Sequence, residues 1–436
     1  MFTKILVANR GEIAIRIIRS CKEMGIATVS VYSEADCDCL HVALADESIC
    51  IGSAAPSDSY LNAQRIMSAA LATGAEAIHP GYGFLSESVQ LADLCEEHGI
   101  AFIGPPSDVI SKMGDKDVAK RMMEAAGVPI IPGSGILDDF ESAKKAAEEI
   151  GYPLMIKARA GGGGRGIRPI NAPEELENAY YTASHEAREA FGDGTLYLEK
   201  RIYPAKHIEV QLLADEYGKI ICLAERECSI QRNNQKLLEE SPSPAVDDEL
   251  RDKLTIASIK AAQAVGYVNA GTVEFLMDQN GDFYFMEMNV RLQVEHAVTE
   301  QVTGIDLVKW QIRIAAGVPL DFYQDDVEIM GCSIECRINA SNVGTVEFLH
   351  IPGGPRVRFD SAMWTGYTVP PYYDSLLGKL IVHAATREEA IRKMHAALCE
   401  LVIEGVPNNI DEQIDFISDE RFQNGDYYTD FLALRS

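Results

Sequence analysis

The sequence begins with an apolar run of strand length, KILVAN at residues 4–9, which decides how the first part of the chain folds. RGE at residues 10–12 follows, and then apolar residues spaced for a helix at Ile13 and Ile17. A second strand pattern, TVSVY, comes at residues 28–32. This strand, helix and strand predict a doubly wound α/β unit. The first turn lacks the GxGxxG fingerprint, so it does not predict dinucleotide binding.

Composition and charge bound the classes of function. The chain has 436 residues, 47% of them hydrophobic, which is typical of a globular protein of about three domains. Its 66 acidic and 39 basic residues give a net charge of −27. Such a charge argues against binding nucleic acid or an anionic membrane, since both require a basic surface. No apolar run reaches membrane-spanning length.

The ten cysteines show no paired CxxC spacing of the kind that holds zinc. They indicate reduced thiols in a cytoplasmic protein. The residues at the amino terminus enter a strand directly, so we expect no targeting peptide. Cys228 lies in a polar segment, where lining a site and simple packing are equally open.

A turn-rich segment, HPGYGFLSE at residues 79–87, follows the apolar pair Ala77-Ile78. We expect a loop at the carboxyl end of a strand, where open α/β sheets bind ligands. An ordinary tight turn explains the segment equally well.

The strongest functional pattern is EMNVRLQVE at residues 287–295, which we predict to be one strand. Its odd positions are polar and its even positions apolar, as expected of a strand with one core-facing side. Glu287 and Asn289 offer the oxygen ligands that Mg²⁺ prefers, and Arg291 suits a planar anion. A solvent-facing edge strand is the less favoured alternative. Glu274 precedes a hairpin that would bring it beside Glu287, so we predict that the two share metal.

A glycine-rich loop, AGGGGRGIR at residues 160–168, follows a strand that ends at Lys157. Successive glycines allow backbone N–H groups to close on phosphates and the loop to move as a lid. It is not a Walker A loop, because no GK[ST] follows. A flexible linker is the alternative, but the position after Lys157 favours phosphate contact, with Lys116 as a second cation.

Three further segments carry polar residues that could line a site. Residues 207–212 alternate between polar and apolar, which predicts a strand. Residues 196–200 predict an apolar strand ending in polar groups, suited to a purine edge. For the highly polar residues 225–236, a solvated loop is slightly favoured when the segment is taken alone.

Together these motifs resemble the biotin carboxylase family, and the resemblance covers essentially the whole chain. It is carried, in order, by residues 8–14, 79–87, 113–116, Lys157 with the glycine-rich loop, and residues 199–200, 207–209, 231–236, 274, 287–296, 334–340 and 366–375. It implies an amino-terminal doubly wound α/β domain at 1–112, an ATP-grasp domain with a flexible glycine-rich lid at 113–326, and a β-rich carboxyl-terminal domain at 327–436, so that the fold is α/β and α+β.

The resemblance also implies a role for each matching residue. ATP would be bound by Lys116, Lys157, Gly163, Gly164, Glu199, Lys200, Arg201, Ile202, His207, Gln231, Asn234, Glu274 and Leu276. One or, as we expect, two Mg²⁺ or Mn²⁺ ions would be held by Glu274, Glu287 and Asn289. Bicarbonate would be held by Lys236, Arg291, Gln293 and Val294. Glu295 would deprotonate bicarbonate, and Arg337 would stabilise the biotin enolate.

The implied reaction is ATP-dependent carboxylation of biotin through carboxyphosphate, the first half-reaction of bacterial acetyl-CoA carboxylase. We expect biotin on a separate biotin carboxyl carrier protein, because no Ala-Met-Lys-Met type site is present. The resemblance further implies carboxyltransferase subunits as partners and a homodimer. Asn233 and Asn234 stand where the family often has Arg and His, so we expect altered ATP affinity.

Two alternatives are weaker. Another ATP-grasp ligase, joining a carboxylate to an amine, would not explain Lys236, Arg291, Gln293 and Arg337 together. A non-catalytic nucleotide sensor would lack a metal ligand or a base, and neither is missing from the sequence.

Overall fold

The computed structural model of the chain describes residues 1–159 and 166–435. They form two compact units. The large unit comprises Met1–Val128, Lys206–Phe275 and the residues from Glu287 onward. The small unit comprises the described residues of Pro129–Ala205 together with Leu276–Met286.

The amino-terminal part of the large unit is a parallel sheet between two helical layers. Its elements are β1 (Lys4–Val7), α1 (Gly11–Glu23), β2 (Ala27–Ser33), α2 (Leu40–Leu44), β3 (Glu47–Gly52), α3 (Ala63–Thr73), β4 (Ala77–His79), α4 (Val89–His98), β5 (Ala101–Phe102), α5 (Ser107–Gly114) and α6 (Lys116–Ala125). The strand order is β3-β2-β1-β4-β5, with parallel neighbours. Ile5 packs in the layer of Ile13, whereas Leu6 packs in the layer of Ile66, because successive strand residues face opposite sides. The predicted doubly wound unit is confirmed.

The loops after β1 and β4 meet where the strand order reverses. The Ala8 amide donates to the His79 carbonyl at 2.9 Å. The Asn9 side-chain amide donates to the carbonyls of Pro80 and Tyr82, both at 2.7 Å. The turn-rich segment therefore follows the carboxyl end of a strand, as predicted, at the position where open α/β sheets bind ligands.

The small unit contains a three-stranded antiparallel sheet and two helices. Its elements are α7 (Phe140–Ile150), β6 (Leu154–Ala158), β7 (Ile167–Ile170), α8 (Leu176–Phe191) and β8 (Leu196–Lys200). The strand order is β7-β6-β8. Leu154 and Ile156 are buried in the core of this unit, and Lys157 points to the opposite face. Gly163 and Gly164 lie outside the described residues.

A second large sheet holds most of the predicted site residues. The remaining elements are β9 (Lys206–Ala214), β10 (Ile220–Arg232), β11 (Gln235–Ser241), α9 (Asp248–Val265), β12 (Asn269–Met277), β13 (Phe283–Asn289), α10 (His296–Thr303), α11 (Leu307–Ala315), β14 (Cys332–Asn339), β15 (Phe348–His350), β16 (Val357–Ser361), β17 (Leu376–Ala384), α12 (Arg387–Glu400), β18 (Val402–Glu404), α13 (Ile410–Ser418) and α14 (Glu420–Gln423). Eight strands lie in the order β13-β12-β9-β10-β11-β14-β17-β16, and β15 pairs with β18. Within residues 1–159 and 166–435, no helix has the length and apolarity needed to cross a bilayer.

The solvated loop favoured for residues 225–236 is wrong, because the segment forms the hairpin of β10 and β11. Asn233 and Asn234 close it with φ angles of 52° and 63°. Two consecutive left-handed residues are typical of a type I′ turn, which Asn tolerates better than most residues. The polar residues Glu225, Arg226 and Glu227 are buried, and each is paired with a side chain from elsewhere: Glu225 accepts from Arg251, Arg226 donates to Glu209, and Glu227 accepts from Ser243.

The strand predicted for residues 287–295 is also wrong in its second half. β13 ends at Asn289, and Val290 to Glu295 form an irregular turn that leads into α10. The alternating pattern nevertheless continues through this turn, with Leu292 fully buried, so the period alone could not mark the end of the strand. No glycine or proline interrupts the segment.

Candidate active site

A buried ammonium group lies at the centre of the predicted bicarbonate residues. Lys236, the second residue of β11, is brought into the sheet by the Asn-Asn turn. Its Nζ contacts the carboxylate of Glu209 and lies 3.0 Å from Glu274 Oε1 and 2.7 Å from Glu295 Oε1. The Lys236 side chain is 13% exposed, and the three carboxylates are at most 3% exposed. One cation therefore holds together three anions from three different segments.

Glu295, the predicted base, is ion-paired on both sides. Its other oxygen lies 2.9 Å from Nη2 of Arg337, opposite Lys236. Burial raises the pKa of Glu295, but the positive charges of Lys236, Arg337 and Arg226 outweigh burial and hold this pKa well below its usual range. Glu295 stands at the N-cap of α10, yet its side chain makes no capping bond. Its carboxylate is available to the site because the helix does not use it.

Arg337, the predicted biotin residue, extends from β14 into the same cluster. Its Nε donates to Glu239 at 2.6 Å, and its Nη2 contacts both Glu239 and Glu295. The side chain is 14% exposed. The structure thus brings the predicted base and the predicted enolate-stabilising residue into direct contact.

Arg226 is a site residue that the sequence did not single out. It is fully buried on β10 and donates to Glu209, Gln211, Thr272, Gln293 and Thr299 at 2.6–3.1 Å. The shortest of these bonds, at 2.6 Å, is to the side-chain oxygen of Gln293. The Gln293 side-chain nitrogen is thereby aimed at Glu274, again at 2.6 Å. The available signal in the sequence was the run Glu225-Arg226-Glu227. Arginine is rarely buried unless it is paired, and this run places carboxylates beside it.

Cys228, which the sequence left open between site and core, borders the cluster. It is fully buried, and its Sγ lies within 4.8 Å of carboxylate oxygens of Glu209 and Glu295. Burial, then the charge of Glu295, raises the pKa of this thiol, so it stays protonated. All ten cysteines lie among the described residues, and all are free thiols.

The predicted metal ligands form a group of oxygen donors on neighbouring strands. Burial, followed by the negative charge of Glu274, raises the pKa of Glu287. For Glu274, burial raises the pKa, but Lys236 and His207 outweigh it and lower this pKa below its usual range. Asn289 donates to Glu274 at 2.6 Å. Two carboxylates that repel each other suit a divalent cation of the Mg²⁺ type, so Glu274 and Glu287 fit the predicted metal. The side-chain oxygen of Asn289 accepts from Arg291 Nη2 at 2.8 Å.

A second set of possible metal donors shares Glu274. The ligand atoms of His207, Glu209 and Glu274 lie within 4.8 Å of one another, and all three side chains are buried. His207 Nε2 lies 2.9 Å from Glu274 Oε2. The predicted ATP residue His207 therefore contacts the predicted metal residue Glu274 directly.

The loop after β4 contributes to the site through Glu87. Its carboxylate accepts from the Val290 amide at 3.3 Å and from Arg291 Nε at 3.2 Å. Arg291 also donates to the side-chain oxygen of Asn289 at 2.8 Å. The segment 79–87 is thus more than an ordinary turn, because it positions the guanidinium predicted to bind bicarbonate.

The predicted nucleotide residues divide between the two units. In the small unit, Lys157 Nζ lies 2.6 Å from Glu199. Lys200 donates to the carbonyls of Gly151 and Tyr152, and Arg201 donates to Asn171. The charged ends of Lys200 and Arg201 are therefore engaged within their own unit, and Ile202 and Leu276 are half-buried there.

In the large unit, the Gln231 side-chain nitrogen lies 2.7 Å from His207 Nδ1 and donates to the Cys228 carbonyl at 2.8 Å. Asn234 is exposed at the hairpin turn. Lys116 is exposed at the first position of α6, where its charge opposes the rise in the pKa of Glu287.

Comparison with protein families identifies the chain along most of its length. Residues 1–110 match the biotin carboxylase N-terminal domain, and residues 335–434 match the biotin carboxylase C-terminal domain. Residues 115–323 match the ATP-binding domain of the carbamoyl-phosphate synthase L chain. The chain belongs to the biotin carboxylase family. Biotin carboxylase 1 of Bacillus subtilis (strain 168) is 55% identical over 442 residues, which cover 99% of this chain and 98% of the relative.

Solved structures of the family agree with the fold. A biotin carboxylase from Campylobacter jejuni, crystallised as a β,γ-ATP complex, superposes with a TM-score of 0.95 at 49% identity, covering 100% of this chain and 99% of the other. The biotin carboxylase domain dimer of Hydrogenobacter thermophilus 2-oxoglutarate carboxylase, solved with MgADP, ADP and bicarbonate, gives a TM-score of 0.94 at 52% identity and covers 100% and 98% of the two chains. The chain is accordingly an ATP-dependent enzyme that carboxylates biotin.

Proposed function

We propose that this biotin carboxylase uses bicarbonate, ATP and Mg²⁺ or Mn²⁺ to carboxylate biotin on a separate carrier protein. The observation that carries the residue assignment is the cluster of Lys236, Glu295 and Arg337. A fixed base lies between two fixed cations, one facing the predicted bicarbonate residues and the other belonging to the predicted biotin residue. Bicarbonate and the biotin enolate are both anions, and each would have a cation beside the same base.

Bicarbonate is assigned to Lys236, Arg291, Gln293 and Val294. Arg291 offers a planar pair of donors, which matches a planar anion, and Lys236 offers a point charge. Gln293 keeps donor capacity, because one of its two amide hydrogens is enough for Glu274. Bicarbonate binding beside Lys236 would add negative charge next to Glu295 and raise its pKa, which would strengthen it as a base.

The chemistry that follows needs charge neutralisation more than covalent help from the protein. Glu295 takes the proton of bicarbonate, whose oxygen attacks the γ-phosphate to form carboxyphosphate and ADP. Carboxyphosphate releases CO₂ and phosphate, and this phosphate accepts the proton from the biotin ureido nitrogen. The resulting enolate oxygen is stabilised by Arg337, and the nitrogen attacks CO₂.

The nucleotide and metal are assigned by residue as the sequence predicted. A bound divalent cation supplies positive charge to the phosphate oxygens, and Glu274, Glu287 and Asn289 would hold it. ATP would be contacted by the nucleotide residues that the resemblance implies, namely Lys116, Lys157, Glu199, Lys200, Arg201, Ile202, His207, Gln231, Asn234 and Leu276. For Lys200 and Arg201, whose charged ends are engaged, we assign the contact to the backbone.

The proposed setting is the first half-reaction of acetyl-CoA carboxylase, with carboxyltransferase subunits as partners, a homodimeric assembly and a cytoplasmic location. The Hydrogenobacter dimer supports the assembly, and the ten free thiols agree with a reducing compartment. We further propose domain limits at 1–112, 113–326 and 327–436.

Phosphate release from ATP tests this function. We expect turnover to depend on bicarbonate and to rise further with free biotin. Turnover that ignores both additions would contradict the proposal, whereas stimulation by an amine in place of biotin would indicate another ATP-grasp ligase.

A further inference from the structure

The peptide units that precede the base have no secondary structure to hold them. Between the end of β13 and the start of α10, the carbonyls of Val290 to Glu295 have no ladder partners. Backbone amides at the start of α10 reach two of them: the His296 amide donates to the Gln293 carbonyl at 3.4 Å and the Val298 amide to the Glu295 carbonyl at 3.3 Å. Buried carbonyls need hydrogen-bond donors, and side chains supply further ones in this turn. His296 Nδ1 lies 2.8 Å from the Gln293 carbonyl. Because that partner is an acceptor, Nδ1 carries the proton, and burial lowers the pKa of His296 to about 3, which keeps the ring neutral.

The next carbonyl, that of Val294, is held by a charge. Nζ of Lys379 donates to it at 2.6 Å. Lys379 lies on β17, 85 residues further along the chain, and its side chain is fully buried. The Val294 carbonyl belongs to the peptide bond that links this residue to Glu295. A donor on this oxygen therefore fixes the plane from which the Glu295 side chain departs.

Lys379 is itself held from the amino-terminal part of the large unit. Its Nζ lies 3.2 Å from Glu12 Oε1, and the Tyr82 hydroxyl donates to the same oxygen. Burial lowers the pKa of Lys379, but the charges of Glu12, Glu335 and Asp360 outweigh it and raise this pKa, so the ammonium stays charged. A buried charge is costly unless it is paired, which makes an incidental lysine here unfavourable.

We propose that Lys379 is a positioning residue, which fixes the Val294–Glu295 peptide so that the base and the bicarbonate site keep their geometry. The proposal rests on the roles assigned to Val294 and Glu295 above. Among the predicted bicarbonate residues the Lys379 ammonium contacts the Val294 carbonyl, and its charge is paired with Glu12, which has no assigned role in binding bicarbonate or biotin. In the sheet, Lys379 is paired with Arg337 on β14, so the strand register places Lys379 beside the predicted biotin residue.

The chain offers a matched control in Lys206. This lysine is also buried, donates to a backbone carbonyl, that of Tyr427, at 2.6 Å, and faces a buried glutamate, Glu227, at 3.6 Å. Its carbonyl partner, Tyr427, follows α14 and has no assigned role in the active site. Lys206→Met therefore reproduces the loss of a buried lysine without touching the Val294–Glu295 peptide.

The test measures bicarbonate-dependent phosphate release for Lys379→Met and Lys206→Met beside the unaltered enzyme, together with ATP affinity and melting temperature. We expect Lys379→Met to lower kcat/KM for bicarbonate by about 10- to 100-fold, as for the loss of a hydrogen bond to a charged group. We expect Lys379→Met to change KM for ATP by less than about threefold. Lys206→Met should change both kcat/KM for bicarbonate and KM for ATP by less than about threefold.

Each of the following results would overturn the proposal. In the first, Lys379→Met lowers kcat/KM for bicarbonate no more than Lys206→Met does. In the second, it weakens ATP as much as bicarbonate, which indicates a general structural defect. If Lys379→Met does not fold, Glu12→Gln carries the test: a selective rise in KM for bicarbonate supports the proposal, and unchanged bicarbonate kinetics contradict it. If the unaltered enzyme itself shows no bicarbonate dependence, the proposed function fails together with this inference.

Discussion

Nζ of Lys236 lies 2.7 Å from Oε1 of Glu295, and both side chains are almost fully buried. The cation keeps the base ionised, and it also weakens the base by lowering its pKa. A bicarbonate ion bound to Lys236 would offset part of its positive charge and so raise the pKa of Glu295. The base is therefore expected to become effective only when its substrate is bound, which limits wasteful hydrolysis of ATP.

Glu295→Gln removes the proton acceptor and preserves the shape of the side chain. We expect bicarbonate-dependent ATP hydrolysis to fall by at least about 100-fold, the usual contribution of a general base. ADP affinity, measured by calorimetry, should stay within about twofold, since no nucleotide contact is assigned to Glu295. Glu240→Gln is the control, because Glu240 is a buried carboxylate paired with Arg387 at 2.7 Å. Retained turnover in Glu295→Gln would remove this residue as the base.

Arg337→Ala separates the two halves of the reaction. We expect biotin carboxylation to fall by at least about 100-fold, because the enolate loses its fixed cation. Bicarbonate-dependent ATP hydrolysis should fall by no more than about tenfold, through the lost contact with Glu295. Both rates are measured on one preparation. Equal losses would argue against a role for Arg337 at the enolate.

Glu287→Gln tests the metal assignment. A neutral amide binds a divalent cation less tightly than a carboxylate does, so the Mg²⁺ concentration for half-maximal activity should rise by at least about tenfold. Glu249→Gln, a substitution of an exposed glutamate on α9, serves as control. An unchanged Mg²⁺ titration for Glu287→Gln would place the metal elsewhere.

Three buried histidines predict acid sensitivity. Burial lowers the pKa of His41 to about 4 and that of His79 and His296 to about 3. In the unfolded chain these groups bind protons below about pH 6.5, whereas in the folded protein they stay neutral. Stability is therefore complete above about pH 6.5 and falls as pH decreases towards 3–4, by about 1.4 kcal/mol per pH unit for each histidine.

Melting temperature measured between pH 8 and pH 4.5 checks this prediction. His41→Leu should make the acid limb less steep, because one titrating group is lost from the unfolded chain. Identical slopes for the protein and His41→Leu would contradict the account.

Local patterns predicted the amino-terminal sheet and the strands that carry Lys157 and Glu287, and they failed where side chains from distant segments decide the backbone. The doubly wound sheet follows from strand length and from the helical spacing of Ile13 and Ile17. The end of β13 at Asn289 does not, because the turn after it is held by His296, Glu87 and Lys379. No spacing in a single sequence shows these bonds.

The polar residues 225–236 were misjudged for a related reason. Taken alone, a run rich in Glu, Arg and Asn indicates solvent. In the fold, Arg226 finds Glu209 and Gln293 on other elements, and this pairing makes burial of the segment possible. Arg226 and Glu87 were missed because their roles are to orient other side chains, and the run Glu225-Arg226-Glu227 was judged by its polarity alone.

Transfer of carbon from labelled bicarbonate to biotin tests the central claim most directly. The enzyme is incubated with ¹⁴C-bicarbonate, MgATP and free biotin, and the biotin fraction is counted before and after acid treatment. The account predicts label in biotin that requires ATP, is lost in acid as expected for a carbamate, and is absent with Glu295→Gln. ATP hydrolysis without any transfer of label to biotin would contradict it.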